Sequence, residues 1–181
     1  SESVKSITVD GKTKKACKLK IIPQEIEIIK TIFDVFVETN SLTITEAELM
    51  RRRLFTKNNK HFTRFAIKAI LQNPVYMIAD EDAYRYFQEQ GADLFSDREA
   101  FDGTYGIMAC NRTDHEKGKT TVYLPIDKWI VSVGGHKGVI PGKVWVQVQK
   151  SLEQNKSKSF RRPRSNEALL TGLLFCRCGS R

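Results

Sequence analysis

The stretch "HFTRFAIKAILQNPVY", His61 to Tyr76, decides the fold because it carries a start, a buried stripe and a stop within sixteen residues. Thr63 has the side chain of a helix N-cap, and Ile67, Ile70 and Leu71 recur at the spacing of one helical face. Asn73-Pro74 ends the run, because a proline disfavours helical backbone in the residue before it. Opposite the apolar stripe, Arg64, Lys68 and Gln72 step by four. The spacing therefore predicts a short helix packed on one side and presenting cations and an amide on the other.

Upstream the pattern stays helical. Pro23 suits a first helical turn, where its missing N–H is not needed, and Ile26, Ile29, Phe33 and Phe36 follow in "PQEIEIIKTIFDVFVETN". Thr45 to Glu48 reads as a capping box opening a short helix through about Leu54, with Ala47, Met50 and Leu54 facing inward. Before Pro23, "VKSITV" and "KTKKACKLKII" flank Asp10-Gly11, the signal of a basic hairpin or an extended linker.

Downstream of Pro74 the texture changes. "AYRYFQEQGADLF" holds a helix with Gly91 at its end, and short strands follow, "TTVYLPI" and "KWIVSVG" foremost, with turns at Asp102-Gly103 and Lys117-Gly118. Pro141-Gly142 leads into a helix with Val144, Val148 and Leu152 at four-residue steps. The expectation is an α+β chain: a hairpin or linker over 1–22, a three-helix subdomain over 23–76, a mixed small-sheet and helix portion over 77–155, a basic linker over 156–168, and a last segment over 169–181.

Charge gives the first functional signal. The 181 residues hold 30 Lys and Arg against 21 Asp and Glu, a net charge of +9 that suits a polyanionic partner. The distribution is segregated: "RRRLFTKNNKHFTR" has no acid and "KSLEQNKSKSFRRPR" has only Glu153, whereas Asp80 to Asp102 is acidic apart from Arg85 and Arg98. Asn59 and Lys60 lead into the helix that carries Arg64, Lys68 and Gln72, a set suited to phosphates and base edges in a DNA major groove. Arg161, Arg162 and Arg164 in the basic linker suit a backbone or a minor groove.

Cysteine usage is sparse, which suits a reducing cytoplasm, and no apolar run reaches the roughly 18 residues of a membrane span. Cys176 and Cys178 look like half of a zinc knuckle with no matching pair in the sequence, so either residues beyond Arg181 complete the site, as in a piece of a longer protein, or the two cysteines are free. Cys110 reads as a small buried hydrophobe and His115 as part of a polar turn. No phosphate loop, carboxylate pair or nucleophile elbow is present, so the residues describe a binder rather than a catalyst.

Taken in order, Pro23 and Glu25, Phe62 and Thr63, then Ile70, Leu71, Asn73, Pro74 and Tyr76 resemble the recombinase domain of large serine recombinases. "DKWIVSVGGHKGVIPGKVWVQVQKSLEQN", the basic linker and "ALLTGLLFCRCGS" are similar to that family's passage into its zinc ribbon. Phe62 stands where the family often has Trp, and one residue separates the two cysteines where the family usually has two.

The resemblance implies a site-specific recombinase whose catalytic serine lies in a separate domain, leaving the present segment inactive alone. Its implied partners are double-stranded DNA, with recognition of a recombination half-site, and further copies of the full-length protein in a synaptic tetramer. It implies no cofactor for this segment and zinc for the full-length protein, with Cys176 and Cys178 as ligands. The setting would be a bacterial or phage mobile element. A competing expectation from the residues is a protein-interaction module built on the Asp80 to Asp102 segment and the strands.

Overall fold

A computed structural model describes residues 2–9, 12–114 and 122–157 of the chain, with the side chains of 19–114 and 122–155. In chain order the elements are β1 (Glu2–Val9), β2 (Lys12–Lys18), α1 (Pro23–Thr39), α2 (Leu42–Arg51), α3 (Arg64–Leu71), α4 (Glu81–Glu89), β3 (Asp93–Leu94), β4 (Ile107–Cys110), β5 (Thr113–Asp114), β6 (Val122–Tyr123), β7 (Ile130–Val133) and α5 (Gly142–Ser157). The α+β expectation holds. β1 and β2 pair antiparallel, with Val9 opposite Lys12, so the basic N-terminal stretch is a hairpin.

Pro23 opens α1 as expected, and Asn40 closes it in the left-handed region at φ 50°, a conformation that asparagine tolerates. The chain turns at once into α2. Here the sequence reading is corrected: Ser41 is the N-cap, its hydroxyl accepting from the Ile44 N–H, so α2 starts earlier than a Thr45 cap allows. Thr45 lies one turn inside and fully buried, its hydroxyl donating to the Ser41 carbonyl at 2.8 Å. The inward face is consequently Thr45 and Leu49, while Ala47 and Met50 face out.

Buried side chains from both the helical and the mixed portions form one cluster. Phe33, Leu49, Ile67 and Leu71 belong to it together with Phe87, Val131, Trp145 and Val148. α5 packs against α1, α3 and α4, and its inner face is led by Trp145 rather than by Val144, which is half-buried. The central sheet has the order β3-β7-β4, with β3 parallel and β4 antiparallel to β7. β5 and β6 form a separate short ladder, to which the described part of "TTVYLPI" contributes Val122 and Tyr123. Alternation along β4 turns Ile107 inward and leaves Cys110 exposed, against the expectation of a buried thiol.

The two portions are stitched after α3. The Val139 and Ile140 N–H groups both donate to the Tyr76 carbonyl at 2.9 Å, and His136 Nε2 donates to the Val75 carbonyl at 2.8 Å. Gly138 lies so close that a Cβ there would meet Ile78 Cα and the Met77 oxygen at 2.6 Å. Gly138→Ala therefore forces backbone apart. We expect it to lower stability by about 2 kcal/mol, the usual scale of overpacking, measured by urea unfolding.

Candidate nucleic-acid interface

Between α2 and α3 the chain makes a tight turn. The Thr56 N–H donates to the Lys60 carbonyl and the Asn59 N–H to the Thr56 carbonyl, both at 2.8 Å, and Asn59 takes a φ of 54°. Phe55 and His61 pair across the turn as an isolated bridge, their rings 5.1 Å apart. Asn59 and Lys60 thus stand exposed at a defined place ahead of α3. Thr63 then caps α3, its hydroxyl accepting from the Ala66 N–H at 3.3 Å.

α3 buries Ile67 and Leu71 and leaves Ile70 half-buried. Its outward stripe is Phe65, Lys68, Ala69 and Gln72, which forms one wall of an open groove of about 1230 Å3. The rest of the lining includes Asn111, Arg112 and Tyr123, Glu89 of α4, and Gln149, Lys150 and Glu153 of α5. Arg64 sits off this stripe, its Nε 3.5 Å from Glu46 Oε2. Among the described residues Lys68 and Lys60 have no ion-pair partner, and their charge is available to an external anion.

Glu89 and Glu153 line the groove itself, while other acids are engaged within the fold. Glu48 accepts from both Arg51 and Arg52 at 2.6 Å, and these two hydrogen bonds hold its carboxyl down at about 2. Glu81 bonds Arg98, which lowers its pKa, and Asp80 caps α4 while accepting from the Gly142 N–H at 2.8 Å.

The C-terminal end of α3 is braced from two directions. Gln149 Nε2 donates to the Leu71 carbonyl at 2.8 Å. Arg112 donates from Nη1 to Asn73 Oδ1 at 2.9 Å and from Nη2 to the Gln72 carbonyl at 3.4 Å, and it stacks 5.0 Å from the Trp129 ring centroid. Burial without a paired carboxylate pushes the Arg112 guanidinium below its ordinary pKa. A cation and an amide at the end of a helix satisfy carbonyls that the helix itself leaves open.

A family model described as Recombinase matches residues 23–155, from the first residue of α1 into the last turn of α5. The chain belongs to the Recombinase family. No curated protein and no solved structure matches it. Membership agrees with the DNA-binding region of large serine recombinases and connects the chain to site-specific DNA recombination.

In this recombinase domain the expected site residues fall into three groups. Lys68 and Gln72 share the groove wall, whereas Asn59, Lys60 and Arg64 lie outside the groove lining, on the turn and the first residue of α3. Arg161, Arg162, Arg164, Cys176 and Cys178 lie outside the described residues. Among the described residues no cluster of His, Cys, Asp and Glu is suited to a metal, and no helix is long and apolar enough to cross a membrane. Sequence reasoning missed Phe65, Arg112 and Gln149. The first breaks the apolar spacing of its own helix, a signal visible in the sequence, while the other two act across 40 and 78 positions, respectively.

Proposed function

We propose that the chain is the DNA-recognition part of a large serine recombinase, with α3 and the turn before it meeting one half-site of duplex DNA. The observation that carries this is the outward stripe of α3: Lys68 and Gln72 on a helix braced at its end. Lys60 and Arg64 at the edge supply charge for the flanking backbone. The basic linker carrying Arg161, Arg162 and Arg164 extends the contact along the duplex. Catalysis belongs to a separate serine-bearing domain, acting in the cytoplasm within a tetramer of full-length subunits, and zinc on Cys176 and Cys178 belongs to that longer protein.

The test is binding of the 181-residue chain, in rising salt, to duplexes it selects from a random pool. Each phosphate neutralised contributes about 0.9 to the logarithmic salt slope, so replacing Lys60, Arg64 and Lys68 with glutamine is expected to lower that slope by up to about 3. An unchanged slope, or equal affinity for scrambled duplexes, removes α3 from the interface.

A second reading has its own observation. The outer face of the central sheet exposes Phe95, Met108 and Ile130, which suits contact with protein and, in a strand-exchange assembly, self-association.

A further inference from the structure

Phe65 is 83% exposed although it lies in the first turn of a helix whose neighbouring Ile67 and Leu71 are fully buried. A lone aromatic on a surface is ordinary. Phe65 is not alone in its setting: it shares one helical stripe with Lys68, Ala69 and Gln72 at steps of three, four and seven residues, and all four line the same groove. That stripe holds an apolar contact, a cation and an amide in a row. In a major groove these chemistries meet different features, the 5-methyl of thymine for an apolar side chain, guanine O6 and N7 or a phosphate for lysine, and adenine N6 and N7 for glutamine.

We propose that Phe65 is a specificity-determining residue that packs on the 5-methyl group of a thymine in the half-site. The inference rests on the reading of α3 as the recognition helix and adds which base chemistry its N-terminal turn selects. The seven residues from Phe65 to Gln72 rise about 10.5 Å along the helix, close to three base-pair steps of about 3.4 Å. With α3 aligned along the groove, the thymine met by Phe65 and the adenine met by Gln72 lie about three steps apart. Lys68, between them, holds the phosphate or guanine. Phe65 packs on nothing that the fold needs, so its substitution leaves the protein folded.

The experiment selects duplexes with the wild-type chain and then replaces each thymine of the enriched site, one at a time, by uracil, which lacks only the methyl. For wild type, uracil at one position is expected to weaken binding about fourfold, the worth of one buried methyl group. Phe65→Ala is expected to bind the thymine and uracil duplexes equally, and Phe65→Leu to keep part of the difference. Wild-type binding indifferent to uracil at every position, or a Phe65→Ala variant that still discriminates, overturns the inference and leaves the α3 reading standing. Failure of the wild-type chain to enrich any site overturns both.

Discussion

Trp145→Ala is expected to destabilise the chain by about 4 kcal/mol, the scale set by emptying a large aromatic from a core. Trp145 is 1% exposed and stands where α5 meets α4, its ring centroid 5.6 Å from that of Tyr86 and 6.0 Å from that of Phe87. Tyr86 is itself buried deeply enough that its hydroxyl titrates only at about 12, with Glu153 adding to the rise. Alanine would leave a cavity between two helices that also position the groove. The indole N–H of Trp145 is buried and has no acceptor among the described residues. A donor left in that state costs about 1 to 3 kcal/mol, so removing it offsets part of any lost packing. Trp145→Phe keeps an aromatic ring, leaves a smaller void and removes the unpaired donor, and is accordingly expected to cost well under half as much as Trp145→Ala. Urea unfolding of the three proteins distinguishes these outcomes, and equal losses for Ala and Phe would show that the phenyl ring recovers none of the packing of the indole.

The division between what the sequence showed and what it hid follows the range of the interactions. α1 and α3 were legible because their signals are local: Pro23 at a first turn, Thr63 at a cap, Asn73-Pro74 at a stop. α2 was misplaced because Thr45 to Glu48 has the pattern of a capping box, whereas the tight corner after Asn40 makes Ser41 the cap and draws Thr45 inside. Thr45 is polar by composition and buried in fact, since its hydroxyl finds a carbonyl one turn back. On the candidate interface, Lys68 and Gln72 were legible from their step along α3, whereas the groove they line was not, because its other walls come from Arg112, Tyr123 and Gln149. Cys110 illustrates the reverse error: a residue type that is usually buried falls on the outer row of β4, where the pleat decides.

Arg112→Ala is expected to cost about 3 kcal/mol and, through α3, to blunt DNA discrimination. The guanidinium makes one hydrogen bond to Asn73 and a longer one to the Gln72 carbonyl while lying over Trp129, and charged hydrogen bonds and a partly desolvated cation–π contact are each worth about 1.5 to 2 kcal/mol or more. Its Nε is buried without a partner among the described residues, which subtracts from that total. Lysine keeps the charge but cannot bond Asn73 and Gln72 as a planar fork, so Arg112→Lys is expected to recover less than half of the loss. A cycle with Asn73→Ala isolates the brace: a coupling of about 1 to 2 kcal/mol is expected for groups in direct contact. Coupling near zero would mean that Arg112 acts through Trp129 and the Gln72 carbonyl rather than through Asn73. If the brace fixes the end of α3, the variant also loses preference among selected duplexes more than it loses affinity for scrambled DNA, because Lys60 and Arg64, proposed above to meet the DNA backbone, are untouched while Gln72 is no longer held in register.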